Sequence, residues 1–135
     1  IISILIIERQ TIMIRSRNID PEAGRWSEPI KLASSTTASF AFRNPTGHEI
    51  LIDRVVVNVT TAAASKTVYV GVSASATATN ATNDIMNGAT LTSGQTVISD
   101  TPTTVGVGSY VVGTLNATDS TLVAYAYVYF KELTR

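Results

Sequence analysis

The side chains able to do chemistry are few and scattered. The single histidine, His48, follows the turn signal Asn44-Pro45-Thr46-Gly47, and the chain holds no cysteine and no second histidine to share a metal with it. A general base also needs a nucleophile or an orienting acid in reach, so His48 reads as a turn residue. Asp84, Asp100 and Asp119 could in principle pair as acid and base, but each sits among Asn, Ser and Thr, where an aspartate commonly bonds its own backbone. Asn83, Asp84 and Asn87 carry oxygens of the kind a hard cation takes, at a spacing unlike an EF-hand loop. Gly106, Gly108 and Gly113 make a loose Gly-x-Gly with no helix behind it, and a phosphate cradle needs a helix N-terminus or a nest. The expectation is a protein that is not an enzyme, with no catalytic, cofactor or metal residues.

Residues suited to binding are more prominent. Tyr125, Tyr127 and Tyr129 fall on one face of an alternating run and suit strand packing, a subunit contact or a stacking platform for sugars. The lone tryptophan, Trp26, lies in a segment crowded with Asn18, Asp20, Pro21, Gly24 and Pro29, which is loop chemistry. Upstream, the β-branched stretch Ile1 to Arg17 presents Ile2, Ile4, Ile6, Ile12 and Ile14 as candidate subunit contacts, either as an arm that pairs with a neighbouring subunit or as an ordinary first strand. Arg9, Arg15, Arg17 and Arg25 alternate with Glu8, Asp20, Glu22 and Glu28, a pattern for salt bridges to protein and not for a phosphate track. Asn58, Asn80 and Asn116 each begin an Asn-x-Thr sequon, which arises readily by chance in a chain so rich in Asn and Thr.

The elements that must position these residues read as strands. Thr37 to Arg43 alternates and stops at the Asn44-Pro45 turn; Glu49 to Thr61 is long, with charges on both faces at Asp53-Arg54, where a bend or a change of register is expected. Lys66 to Ser73 reads as its hairpin partner. Ala74 to Asn83 has nothing large to bury and reads as a surface connection, after which Ile85 and Met86 insert as an apolar plug before a turn. Short strands at Ile30 to Ala33, Thr96 to Ser99 and Ser109 to Thr114, and a strong last one over Thr121 to Leu133, bring the sum to about eight, without a helix. This predicts a single all-β sandwich, jelly-roll-like, over residues 36–135, preceded by an N-terminal extended arm and loop over residues 1–35.

With 135 residues the chain fits one domain, and 10 basic against 10 acidic groups leave no general attraction to nucleic acid or to an anionic membrane. No apolar run approaches the roughly 20 residues of a membrane span. Only 15% of residues are charged, against about 25% in an average domain, and from Val55 to Phe130 the charges are Lys66, Asp84, Asp100 and Asp119 alone. A neutral hydroxyl-rich surface of this kind suits an extracellular or virion protein.

The run FAFRNPTGHEILIDRVVVNVTTAAASKTVYVGVSA from Phe40, then NDIMNG, and the closing TLVAYAYVYFKEL resemble small virion proteins of tailed bacteriophages, of the head decoration, cement or head-fibre type. The resemblance covers Phe40 to Leu133. It implies a β-sandwich or jelly roll, often trimeric, that sits on a capsid lattice and stabilises it without catalysis, its partners being capsid protein and copies of itself. Two other expectations stand beside it: a secreted filament or pilus subunit assembled by strand donation from Ile1 to Ile7, and a carbohydrate-binding module built on Tyr125, Tyr127 and Tyr129.

Overall fold

Valine and isoleucine at every second position make strands that are wet on one side and dry on the other. The computed structural model describes residues 24–133, and they form ten strands: β1 Arg25–Trp26, β2 Ile30–Lys31, β3 Phe40–Arg43, β4 Ile50–Thr61, β5 Thr67–Ser73, β6 Met86–Thr90, β7 Thr96–Ser99, β8 Thr103–Val105, β9 Tyr110–Leu115 and β10 Val123–Glu132. All pairings are antiparallel. A four-stranded sheet runs β3-β9-β5-β6. A six-stranded sheet runs β1-β10-β4-β7, with β2 also on β10 and β8 also on β4. The protein is an all-β sandwich.

Over the described residues β1, β6 and β8 add to the expected strands, and β1 and β8 arise because proline, which has no N–H to give a ladder, interrupts both edges of the larger sheet. β1 and β2 are one edge broken at Ser27-Glu28-Pro29, and β7 and β8 are the other, broken at Asp100-Thr101-Pro102. Ser27 keeps the first break attached: its N–H donates to the Val128 carbonyl at 2.8 Å and its Oγ accepts from the Val128 N–H at 2.9 Å. Trp26 therefore lies in an edge strand and not in a loop. Residues 24–35, grouped with the arm on sequence grounds, supply this edge of the sandwich. The expected strand or strands over Ile1 to Arg17 lie outside the described residues.

The core lies between the sheets. Ile50, Ile52, Val55, Val57, Val59, Ala126 and Val128 from one layer meet Phe40, Val68, Val70, Val111 and Leu115 from the other, all buried. Full burial of a side chain of this size stabilises by about 1.5–3 kcal/mol. The dry positions of β4 are even-numbered through Ile52 and odd-numbered from Val55. A β-bulge causes the switch: Tyr129 stands opposite Arg54 and Phe130 opposite Ile52, which leaves Asp53 unpaired. This is the change of register expected at Asp53-Arg54.

The two outer faces differ. Across the four-stranded sheet lies the Ala74 to Asn83 segment, held by a 2.9 Å bond from the Ala78 N–H to the Thr37 carbonyl and by the Thr114 hydroxyl donating to Asn80 Oδ1 at 3.0 Å. Beneath it Val112 and Thr114 are fully buried although they point outward. The segment presses so closely that a Cβ on Gly71 would stand 2.7 Å from the Thr82 carbonyl carbon. A run with only small side chains is what allows this approach. Ile85 and Met86 enter the core as expected, but the chain continues as β6 through Gly88, where the pairing with β5 shifts register.

Candidate functional site

Among the described residues, the outer face of the six-stranded sheet has no such cover. Tyr125, Tyr127 and Tyr129 project from β10 on this side; Asn58, Val56 and Arg54 stand beside them on β4, with Thr96 and Ile98 on β7 and Lys31 and Trp26 on the opposite edge. Trp26 and Ile98 are each about half exposed, at 49% and 53%. The expectation that the three tyrosines share one face holds. Ile2, Ile4, Ile6, Ile12 and Ile14 lie outside the described residues.

At one end of this face the side chains converge. Trp26 and Tyr129 are register partners whose ring centroids lie 5.0 Å apart at an interplanar angle of 52°. The Tyr129 ring lies over Gly24, where a Cβ would fall 2.2 Å from its phenol atoms, so the glycine leaves the ring its place. In a regular strand neighbouring side chains point to opposite faces, yet the bulge at Asp53 turns both Asp53 and Arg54 to the outside. Arg54 Nε donates to Asp100 Oδ1 at 2.5 Å, and Lys131 Nζ lies 3.2 Å from Asp53 Oδ2. Trp26, Tyr129, Asp53, Arg54 and Asp100 thus line an open depression of about 530 Å³, within the range of about 300–1,000 Å³ typical of small-molecule sites. The exposed Arg54–Asp100 pair contributes at most about 1 kcal/mol to stability, and its effect is to hold both side chains in one geometry.

Asp100 departs from expectation: it pairs with Arg54 across the sheet instead of bonding its own turn. This happens because the broken edge brings residue 100 beside β4. Asp119 behaves as expected. It is 3% exposed, its Oδ1 accepts from the Thr121 N–H and hydroxyl, and its Oδ2 accepts from the Ala63 N–H. Burial pushes its carboxyl up, but the Ala63 N–H, the Thr121 hydroxyl and N–H, and the Lys66 charge together outweigh it, and the group is held below its ordinary value. Asp84 accepts a long bond from the Val72 N–H, and Asn83 donates to Asn87 Oδ1. Among the described residues no three His, Cys, Asp or Glu side chains cluster as metal ligands would.

His48 lies 3.4 Å from Glu132, which also pairs with Arg25. The turn around it is organised by the buried Asn44, whose amide donates to the carbonyls of His48, Val105 and Gly106 and whose Oδ1 accepts from Thr46. Of the sequon asparagines, Asn116 accepts from the Thr67 N–H and donates to the Ser65 carbonyl, Asn80 accepts from Thr114, and Asn58 stands exposed on the open face. Gly106 and Gly108 bracket a turn, and Gly113 lies inside β9 beneath Phe40.

No protein-family model, curated protein or solved structure matches the chain.

The residues missed on sequence grounds are Asp53, Arg54 and Asp100 as companions of Trp26. Their signal was the charged pair inside a valine run, which marked the bulge without naming its partners.

Proposed function

We propose that the protein is a virion structural subunit that decorates a capsid lattice, attached through its Ile-rich N-terminal segment, in copies that associate with one another. The observation that carries this reading is the completeness of the core: between Leu32 and Phe130 the two layers bury each other's inner faces. Seven isoleucines stand before residue 15 in the sequence, and we take this apolar run as the contact made with a partner surface. A repeated lattice multiplies such contacts.

The winding of the chain supports the same reading. Counting each interrupted edge as one strand gives eight, in the orders 1-8-3-6 and 2-7-4-5. That is the arrangement left when a long hairpin, pairing 1 with 8, 2 with 7, 3 with 6 and 4 with 5, is rolled into two layers. We take it as a jelly roll, an architecture common in viral capsid domains and in lectins, though architecture alone does not decide function.

The test compares the full chain with a chain lacking residues 1–17 for co-sedimentation with the native particles. The full chain is expected in the pellet and the truncated chain in the supernatant, with equal melting temperatures. A truncated chain that pellets as well as the full one contradicts the proposal.

A further inference from the structure

Arg54 and Asp53 are adjacent, oppositely charged and on the same outer face of a strand, which regular pleating forbids and the bulge permits. Bulges are frequent beside functional sites because they re-aim a side chain in this way. The bulge places a guanidinium and a carboxylate beside the one tryptophan of the chain, half exposed on an edge strand and backed by Tyr129. We propose that the depression formed by Trp26, Tyr129, Asp53, Arg54 and Asp100 binds a neutral saccharide, a pyranose ring lying on the indole with its hydroxyls bonded to the two carboxylates and the guanidinium.

The chemistry of the walls selects this class. A pyranose has an apolar C–H face and an edge of hydroxyls, each of which donates and accepts. The indole supplies a rigid apolar plate. Beside it, acceptor, donor and acceptor follow in order: among the described residues Asp53 uses Oδ2 for Lys131 and keeps Oδ1, Asp100 uses Oδ1 for Arg54 and keeps Oδ2, and Arg54 is engaged through Nε alone. The ion pairs hold these groups in place before a ligand arrives, which reduces the ordering cost of binding.

Charge narrows the class further. Arg54 and Lys131 balance Asp53 and Asp100, so the depression has no net charge to favour a uronic or sialic acid, and a phosphate would meet two carboxylates. A purely apolar ligand would cover charged groups without satisfying them. The open position of the site, on a face that no other described residue covers, suits a residue within a chain as well as a free sugar. This inference goes beyond attachment to a particle and does not depend on it.

Trp26 is the only tryptophan, so the emission of the folded full chain reports on this site alone. The full chain is titrated with maltotriose, cellotriose and chitotriose, with trigalacturonate as the acidic comparison, by Trp26 fluorescence and by calorimetry. At least one neutral trisaccharide is expected to shift the emission saturably, with a dissociation constant of about 1 mM or below. Arg54→Lys and Asp100→Asn are each expected to weaken it about tenfold or more, with melting temperatures close to that of the parent; Trp26→Ala, read by calorimetry, abolishes it. The inference is overturned by no binding of any neutral trisaccharide up to about 10 mM, by binding of trigalacturonate alone, or by variants that bind as the parent does.

Discussion

Replacing Gly113 by alanine tests, at one atom, the packing of a core side chain across neighbouring strands of the four-stranded sheet. A Cβ at this position in β9 would stand 2.3 Å from Phe40 Cε1 and 2.5 Å from Cδ1, whereas carbon atoms in contact sit at about 3.5–4.0 Å. Phe40 is 3% exposed and belongs to the core, so its ring can retreat only by displacing other buried groups. Overpacking of this kind costs about 1–3 kcal/mol. Alanine recovers about 0.5–1 kcal/mol of backbone entropy relative to glycine. With two ring atoms this close the cost falls in the upper part of that range, about 2–3 kcal/mol, so the net destabilisation is about 1–2.5 kcal/mol. In urea, with a slope of about 2 kcal/mol per molar, this lowers the midpoint by about 0.5–1.3 M with the slope unchanged. Phe40→Leu removes the obstructing ring atoms, so in that background Gly113→Ala is expected to cost less than about 0.5 kcal/mol, the difference being the coupling of the pair. A Gly113→Ala protein as stable as the parent, or equal costs in both backgrounds, would refute the placement of Phe40 over Gly113.

The remaining predictions concern the covering segment, the buried aspartate and the turn. Gly71→Val drives a side chain into the Thr82 backbone, and proteolysis between Ala74 and Asn83, followed by mass spectrometry, is expected to accelerate while the core melts close to its original temperature; unchanged cleavage would show that the segment does not rest on β5. Asp119 is held below its ordinary value, so the stability it adds is fully present above the unfolded carboxylate pKa of about 3.9 and is lost as pH falls through its lower folded value. The gap between parent and Asp119→Asn in urea titrations should be constant above about pH 5 and close at lower pH; a gap that persists to about pH 2 would contradict the sign. Asn44→Ala strands the buried carbonyl of Val105 and is expected to cost about 1–3 kcal/mol by denaturant titration, whereas a neutral change would show that water replaces the amide.

Much of this fold was legible because its alternation is strong. Val55, Val57 and Val59 mark a dry face without ambiguity, and the charged pair Asp53-Arg54 marked the change of register before it. The broken edges were not legible: Pro29 stands in a segment of loop chemistry, whereas Pro29 and Pro102 each merely interrupt an edge that resumes on its far side. Trp26 was read as a loop residue for that reason. The covering role of Ala74 to Asn83 gave no apolar signal, since its fit depends on small side chains lying against Gly71. The candidate site was hidden more deeply. Asp100 is 46 residues from Arg54, and Trp26 meets Tyr129 only across the sheet, so the group exists in the pairing of strands and not in any local spacing.

The proposed role of this sandwich as a subunit of a viral particle is measured most directly by electron microscopy of native material labelled with an antibody to residues 36–133. Label at regular intervals over the outer surface of icosahedral heads is the predicted result. Label along filaments, or on free protein with the heads bare, would contradict it.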